Sequence, residues 1–188
     1  MSTKCQDYMI ISDHYLNSAI LVASPNNDER PDPEDISLLV IHCISLPPEQ
    51  FDGNYVDQLF CNGLNPEEHP FFKEIAQLRV SAHLLIRRSG EIRQYVPFNR
   101  RAWHAGVSEY LGRERCNDFS IGIELEGTVN MAYTENQYRH LAETVKALLS
   151  SYPKLSLERI VGHSDIAPGR KTDPGPYFDW QRFRQLLA

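Results

Sequence analysis

Apolar residues along this chain fall into short runs with two periodicities, and the change from one to the other marks its elements. Residues 37–44, SLLVIHCI, form a β-branched and aliphatic run closed by the Pro47-Pro48 breaker, the pattern of a buried strand, with His42 near its end. Residues 82–86 and 92–96 flank Ser89-Gly90 and predict an antiparallel hairpin. Residues 119–125, FSIGIEL, alternate: Ile121, Ile123 and Leu125 take one face and Ser120, Gly122 and Glu124 the other. The period then becomes helical. Thr134 and Gln137 form a capping box ahead of a stripe of Tyr138, Leu141, Ala142, Val145, Leu148 and Leu149, and Pro153 ends the helix. A short strand at 159–162 leads into His163 and a loop rich in proline and glycine through Pro176, after which Asp179 caps a terminal helix burying Trp180, Phe183 and Leu187.

Between these elements lie polar segments. Residues 1–36 read as a loop-rich lead-in without obvious chemistry, and residues 102–106, AWHAG, as a loop. Residues 46–78 make a long excursion with several prolines and glycines that closes on FFKEIAQL, spaced for a short helix; excursions of this length often cover a site. At least four strands with helices between and after them predict a mixed α/β (α+β) class: a central mixed sheet flanked by helices, in one domain over 1–188 whose core spans 37–188. Strand order is not legible at this level.

Composition narrows the function classes. With 19 Lys plus Arg against 25 Asp plus Glu and a net charge of −6, the chain lacks the basic footprint of a nucleic-acid binder. No apolar stretch approaches the roughly 18 residues of a membrane span, and residues 1–11 hold only a short apolar element, so the expectation is a cytoplasmic protein that acts as a monomer away from the membrane. Cysteines 5, 43, 61 and 116 form no CxxC pair and read as reduced thiols.

Candidate chemistry gathers at strand ends. His42 and His163 each stand at or just beyond one, and Asp173 follows ten residues after His163 in GRKTDPGP. Two imidazoles and a carboxylate are a common catalytic zinc set that leaves one position open for water, and zinc lowers the pKa of that water from about 15.7 to roughly 7. Each histidine alone is more often a surface or hydrogen-bonded residue than a ligand. Glu124 projects from an aliphatic strand, where a carboxylate must be paired, metal-bound or catalytic. Lys171, two residues before Asp173, is placed to stabilise an oxyanion, although a loop lysine is ordinarily just solvated. Cys43 and Cys116 raise the rival of a thiol nucleophile, for which no motif supplies a paired base.

Taken together, SLLVIHCISLPP, LRVSAHLLIRRSGEI, RAWHAGVS, GRERCNDFSIGIELEGT and GHSDIAPGRKTDPGP resemble the zinc N-acetylmuramoyl-L-alanine amidases, most nearly the cytoplasmic branch acting on 1,6-anhydro-muropeptides and more distantly phage lysozyme-amidases and peptidoglycan recognition proteins. The resemblance implies one zinc ion on His42, His163 and Asp173, Glu124 as general base and Lys171 as stabiliser of the tetrahedral intermediate. It implies a muropeptide substrate: anhydro-N-acetylmuramic acid carrying a peptide that starts L-alanine, D-glutamate, diaminopimelate. It implies Arg79 and Arg115 as grips for that anionic peptide, a task suited to bidentate guanidinium, and Trp103 and His104 as the sugar-side wall. Cys43 departs from the asparagine of the cytoplasmic branch and alters one polar contact to substrate. Asp173, where phage enzymes carry cysteine, favours the cytoplasmic branch. Two other readings compete: a broader amidase acting on intact peptidoglycan, and a muropeptide-binding module without catalysis.

Overall fold

The computed structural model describes residues 9–188 of the chain; Cys5 and most of the apolar element expected at residues 1–11 lie outside them. Six strands form the main sheet: β1 (Ile20–Leu21), β2 (Leu38–Ile44), β3 (Leu84–Ile86), β4 (Ile92–Gln94), β5 (Ser120–Glu126) and β6 (Ile160–Gly162). Their order is β6-β2-β5-β3-β4-β1, parallel throughout except for the antiparallel β3–β4 hairpin. The helices are α1 (Tyr55–Phe60), α2 (Phe72–Ile75), α3 (Glu135–Ser151), α4 (His163–Ile166) and α5 (Trp180–Leu187). The expected mixed sheet flanked by helices is therefore present.

The sequence explains the centre of the sheet. β2 and β5 are paired on both sides and covered on both faces, so they read as nearly continuous apolar runs. Leu39, Ile41, Ile121, Ile123 and Leu125 share one core with Leu141, Val145 and Leu148 of α3 and with Phe183 of α5. Burial of each large aliphatic or aromatic side chain in such a cluster stabilises the fold by about 1.5–3 kcal/mol. The capping box forms as read, with Thr134 Oγ1 accepting from Gln137 N at 3.2 Å and Gln137 Oε1 from Thr134 N at 3.0 Å. Asp179 Oδ1 likewise accepts from Arg182 N at 2.9 Å. Of the three apolar residues expected to be buried by α5, Phe183 is buried while Trp180 and Leu187 are partly covered.

Several expectations change. The lead-in is not merely loop: it contributes β1 to the sheet edge, and its Asn27–Glu29 segment pairs with Arg100–Ala102, which ends on the first residue of AWHAG. Propensity is a poor guide there because pairing with distant partners makes these short strands. His163 opens α4 instead of a loop, and Asp165 Oδ2 accepts from Gly162 N at 2.7 Å to cap that turn. The excursion at 46–78 carries α1 and α2 and has its own apolar cluster, in which Val56, Leu59, Phe60 and Phe72 meet Leu85, Tyr95 and Val96. It is a packed layer, since its side chains bury more apolar surface than a polar loop would.

Alternation then decides where chemistry can sit. Helices α3 and α5 cover the face of Leu39 and Ile41, so the opposite face presents Leu38, Val40 and His42 from β2. The register sets Ser120 against Leu38, Gly122 against Val40 and Glu124 against His42. Parallel neighbours share a face, so Glu124 stands beside His42 at the carboxyl ends of adjacent strands.

Candidate metal centre

Three elements bring three side chains together: β2 supplies His42, the first turn of α4 supplies His163, and the loop after α4 supplies Asp173. His42 Nδ1 lies 2.9 Å from His163 Nδ1 and 3.2 Å from Asp173 Oδ2, and His163 Nδ1 lies 3.1 Å from the same carboxylate oxygen. Among the described residues this is the one group of His, Cys, Asp and Glu with donor atoms close enough to share a metal ion. Tetrahedral zinc with bonds of roughly 2.0–2.1 Å holds its donors about 3.3 Å apart, so the triangle is slightly contracted but of the right size.

The protonation of the triangle supports a cation there. His163 Nε2 lies 3.1 Å from the Ala105 carbonyl, which can only accept, so neutral His163 carries its proton on Nε2 and presents a bare lone pair at Nδ1. Burial pushes His42 down to about 4, and the neighbouring His163 adds to this against the pull of Asp173, so His42 is neutral at physiological pH. At most one proton, on His42 Nδ1, can lie among three acceptor atoms. The residues therefore fit a resident divalent metal.

Glu124 lies beside this cluster in an unusual state. It is buried, its Oε2 has no hydrogen-bond partner, and among the described residues no ion pair neutralises it, which removes the structural salt bridge as its explanation. Burial pushes its carboxyl well above the ordinary range; the charge of Asp173 pushes the same way and that of Lys171 opposes. The Lys171 side chain is exposed, while its backbone N–H donates to the Ala167 carbonyl at 3.0 Å and closes the turn after α4. Its positive charge acts on His42, Cys43 and Glu124, lowering each of their pKa values.

The loop is held from several directions. Ser164 N donates to the Asp173 carbonyl at 3.0 Å, and Tyr133 Oη donates to the Pro174 carbonyl at 2.7 Å. Arg170 Nη2 donates to the carbonyls of Ala105 and Val107, both at 2.6 Å. Asp173 and Lys171 thus ride on a loop tied to α4, to Tyr133 ahead of α3 and to the 105–107 segment.

Comparison with known proteins agrees with this geometry. A family model described as N-acetylmuramoyl-L-alanine amidase matches residues 32–176. The chain belongs to this amidase family. The Escherichia coli (strain K12) 1,6-anhydro-N-acetylmuramyl-L-alanine amidase AmpD is 60% identical over 180 residues, covering 96% of this chain and 98% of that protein. A crystal structure of a Se-Met AmpD derivative is 59% identical with a TM-score of 0.93, covering 96% of this chain and 100% of the other. A complex of the E. coli amidase AmiD with the substrate anhydro-N-acetylmuramic acid-L-Ala-D-gamma-Glu-L-Lys is 28% identical with a TM-score of 0.58, covering 95% of this chain and 65% of the other.

Of the remaining candidate residues of this amidase, His104 meets the cluster through His42, Cys43 follows His42 in the chain, and no contact joins Arg79, Arg115 or Trp103 to the three donors. Arg79 is exposed and donates only to the nearby carbonyls of Gln77 and Leu78 at 3.3 and 3.4 Å. Arg115 is also exposed, pairs with Asp118 at 3.3 Å, and lines a cavity of about 880 Å³ whose wall includes Arg170, the neighbour of Lys171. Trp103 is half-buried, with Nε1 donating to Asp28 Oδ1 at 3.2 Å. His104 departs most from a sugar-side wall: its Nδ1 lies 2.9 Å from His42 Nε2 and its Nε2 3.1 Å from Ser120 Oγ, so both ring nitrogens are committed within the fold. Burial pushes the Cys43 thiol up to about 12 and also raises Cys116, which removes the thiolate that a cysteine nucleophile needs.

The sequence reading missed the layer behind the metal cluster. Arg30 is buried and donates to the carbonyls of Phe98, Asn117, Asp118 and Ser120, the last at 2.7 Å. His83 Nδ1 accepts from Gly122 N at 3.1 Å, and its Nε2 lies 3.0 Å from the Arg100 carbonyl. The one legible signal was the small pair Ser120 and Gly122 on the face of Glu124. A face that small leaves room for a large side chain from elsewhere.

Proposed function

We propose that this amidase hydrolyses the amide between the lactyl group of 1,6-anhydro-N-acetylmuramic acid and L-alanine of the stem peptide, with one zinc ion held by His42, His163 and Asp173. The observation that carries the reading is the convergence of those three acceptor atoms beside a buried carboxyl with an unsatisfied oxygen. The names of its relatives support the sugar and the bond. Bound zinc would supply a Lewis acid for the carbonyl and a neutral-pH source of nucleophilic water.

The protein's own residues do the rest. Glu124 takes the proton of the attacking water and returns it to the departing alanine nitrogen; a carboxyl raised by burial suits that exchange near neutral pH. Lys171 balances the negative charge that develops on the carbonyl oxygen. Arg79 and Arg115, free of buried partners, grip the carboxylates of the peptide, and Trp103 borders the sugar side. Among the described residues no helix is long and apolar enough to cross a membrane, and the same reading places the enzyme in the cytoplasm, acting as a monomer on a small imported muropeptide.

Mass spectrometry of products from an anhydro-muramyl tripeptide and its reducing counterpart, with and without a zinc chelator, tests this. Free tripeptide from the anhydro substrate alone, abolished by chelator, is the expected result. Cleavage of both would instead mean a broader amidase, and cleavage of neither a binding module.

A further inference from the structure

His104 is half-buried behind His42, and its surroundings are built to receive it. Its ring packs edge-on to His42 with centroids 4.9 Å apart. A Cβ on Gly122 would lie 2.4 Å from His104 Cγ, so glycine at that point of β5 leaves the space the ring occupies. Asn117 Oδ1 accepts from the backbone N–H of His104 at 3.1 Å and of Ala105 at 2.8 Å, which fixes the segment carrying the ring. Arg30 Nη2 holds the carbonyl of Ser120, the residue whose hydroxyl meets His104 Nε2. A side chain that only filled space would not need both ring nitrogens matched.

The chain Ser120–His104–His42 ends at the metal triangle, and a neutral imidazole has one proton to place. We propose that His104 is a positioning residue for the metal centre: its Nδ1 accepts the Nε2–H of His42 while its own Nε2–H donates to Ser120 Oγ, so that His42 presents a bare Nδ1 beside His163 and Asp173. The Ala105 carbonyl, on the next residue of the same segment, does the same for His163. Each histidine of the triangle thus has its tautomer fixed by a neighbour, as partners behind metal-binding imidazoles commonly do. This inference rests on the zinc reading above.

The test compares zinc affinity, by competition with a chromophoric chelator, in the full-length wild type, His104→Phe and His104→Asn. Phenylalanine keeps the ring volume without an acceptor, whereas asparagine places a carbonyl oxygen near the position of Nδ1. Affinity should fall about 10- to 100-fold in His104→Phe and recover most of that loss in His104→Asn. Equal affinity in wild type and His104→Phe would overturn the inference; a wild type that binds no zinc would overturn the zinc reading itself. Should His104→Phe fail to fold, ¹⁵N spectra of histidine rings in the zinc-loaded wild type decide the matter. A proton on His104 Nε2 is expected, and a proton on Nδ1 would sink the proposal.

Discussion

The candidate metal site at the sheet edge and the two arginines proposed to grip the peptide show opposite ways of using charged and polar side chains. His42 and His163 are almost fully buried, at 1% and 3% exposure, and every nitrogen of their rings has a partner. Arg79 and Arg115 are exposed; Arg79 reaches only carbonyls within two residues of itself, and Arg115 meets a single carboxylate. The difference follows from what each must do. Bond-making groups need fixed geometry and little water, because electrostatic effects weaken in high dielectric and misplaced groups lose rate steeply. Groups that grip a flexible anionic peptide need reach, and they keep their solvation until the ligand arrives.

Variants that attack the two regions should separate accordingly. His163→Ala should have the largest effect, losing both zinc and all measurable hydrolysis, as read by metal analysis of the purified protein; retention of stoichiometric zinc would remove His163 from the ligand set. Glu124→Ala and Lys171→Ala come next, each lowering kcat by about 10²–10⁴-fold while keeping the metal. Near-normal turnover in either would refute the role assigned to it. Arg79→Ala and Arg115→Ala should mainly raise KM, each by about tenfold, with kcat little changed, since they remove binding that ground and transition states share. A kcat effect without a KM effect would place them in the chemistry instead.

Two smaller effects concern stability. In the metal-free protein, burial raises the Glu124 carboxyl above its unfolded value, so the native state binds that proton more tightly. The stability it contributes is present at acid pH and is lost as pH rises from the ordinary carboxylate range through the raised value. Glu124→Gln should therefore melt above the wild type at neutral pH and close to it at pH 4, a pattern that calorimetry at the two pH values can contradict. Tyr133→Phe removes the Tyr133–Pro174 hydrogen bond and should cost about 1 kcal/mol of stability in denaturant titration.

Much of this comparison was legible in the sequence. Capping by Thr134 and Asp179 depends on neighbours three residues away, and the faces of β5 depend only on the two-residue period. The metal-binding set was readable as residue types at strand ends, although its assembly into one cluster came from resemblance. The place of His104 behind His42 was not legible because AWHAG has no periodicity and its direction depends on Asn117 and on the space above Gly122. Arg30 and His83 gave no signal of their own beyond the small pair Ser120 and Gly122, since a charged or polar residue is recognised as buried only when its distant carbonyl partners are known.

By itself, then, the sequence determined the elements, the caps, the absence of a basic nucleic-acid footprint and the residue types available for hydrolysis, because these rest on local spacing and composition. Only the tertiary structure decided that β2, α4 and a loop ten residues beyond His163 meet within about 3 Å, that Glu124 is left with an unsatisfied oxygen, and that His104 stands behind His42. The physical reason is that burial, lone-pair direction and proton position are fixed by groups far apart along the chain, which strand order and register bring together.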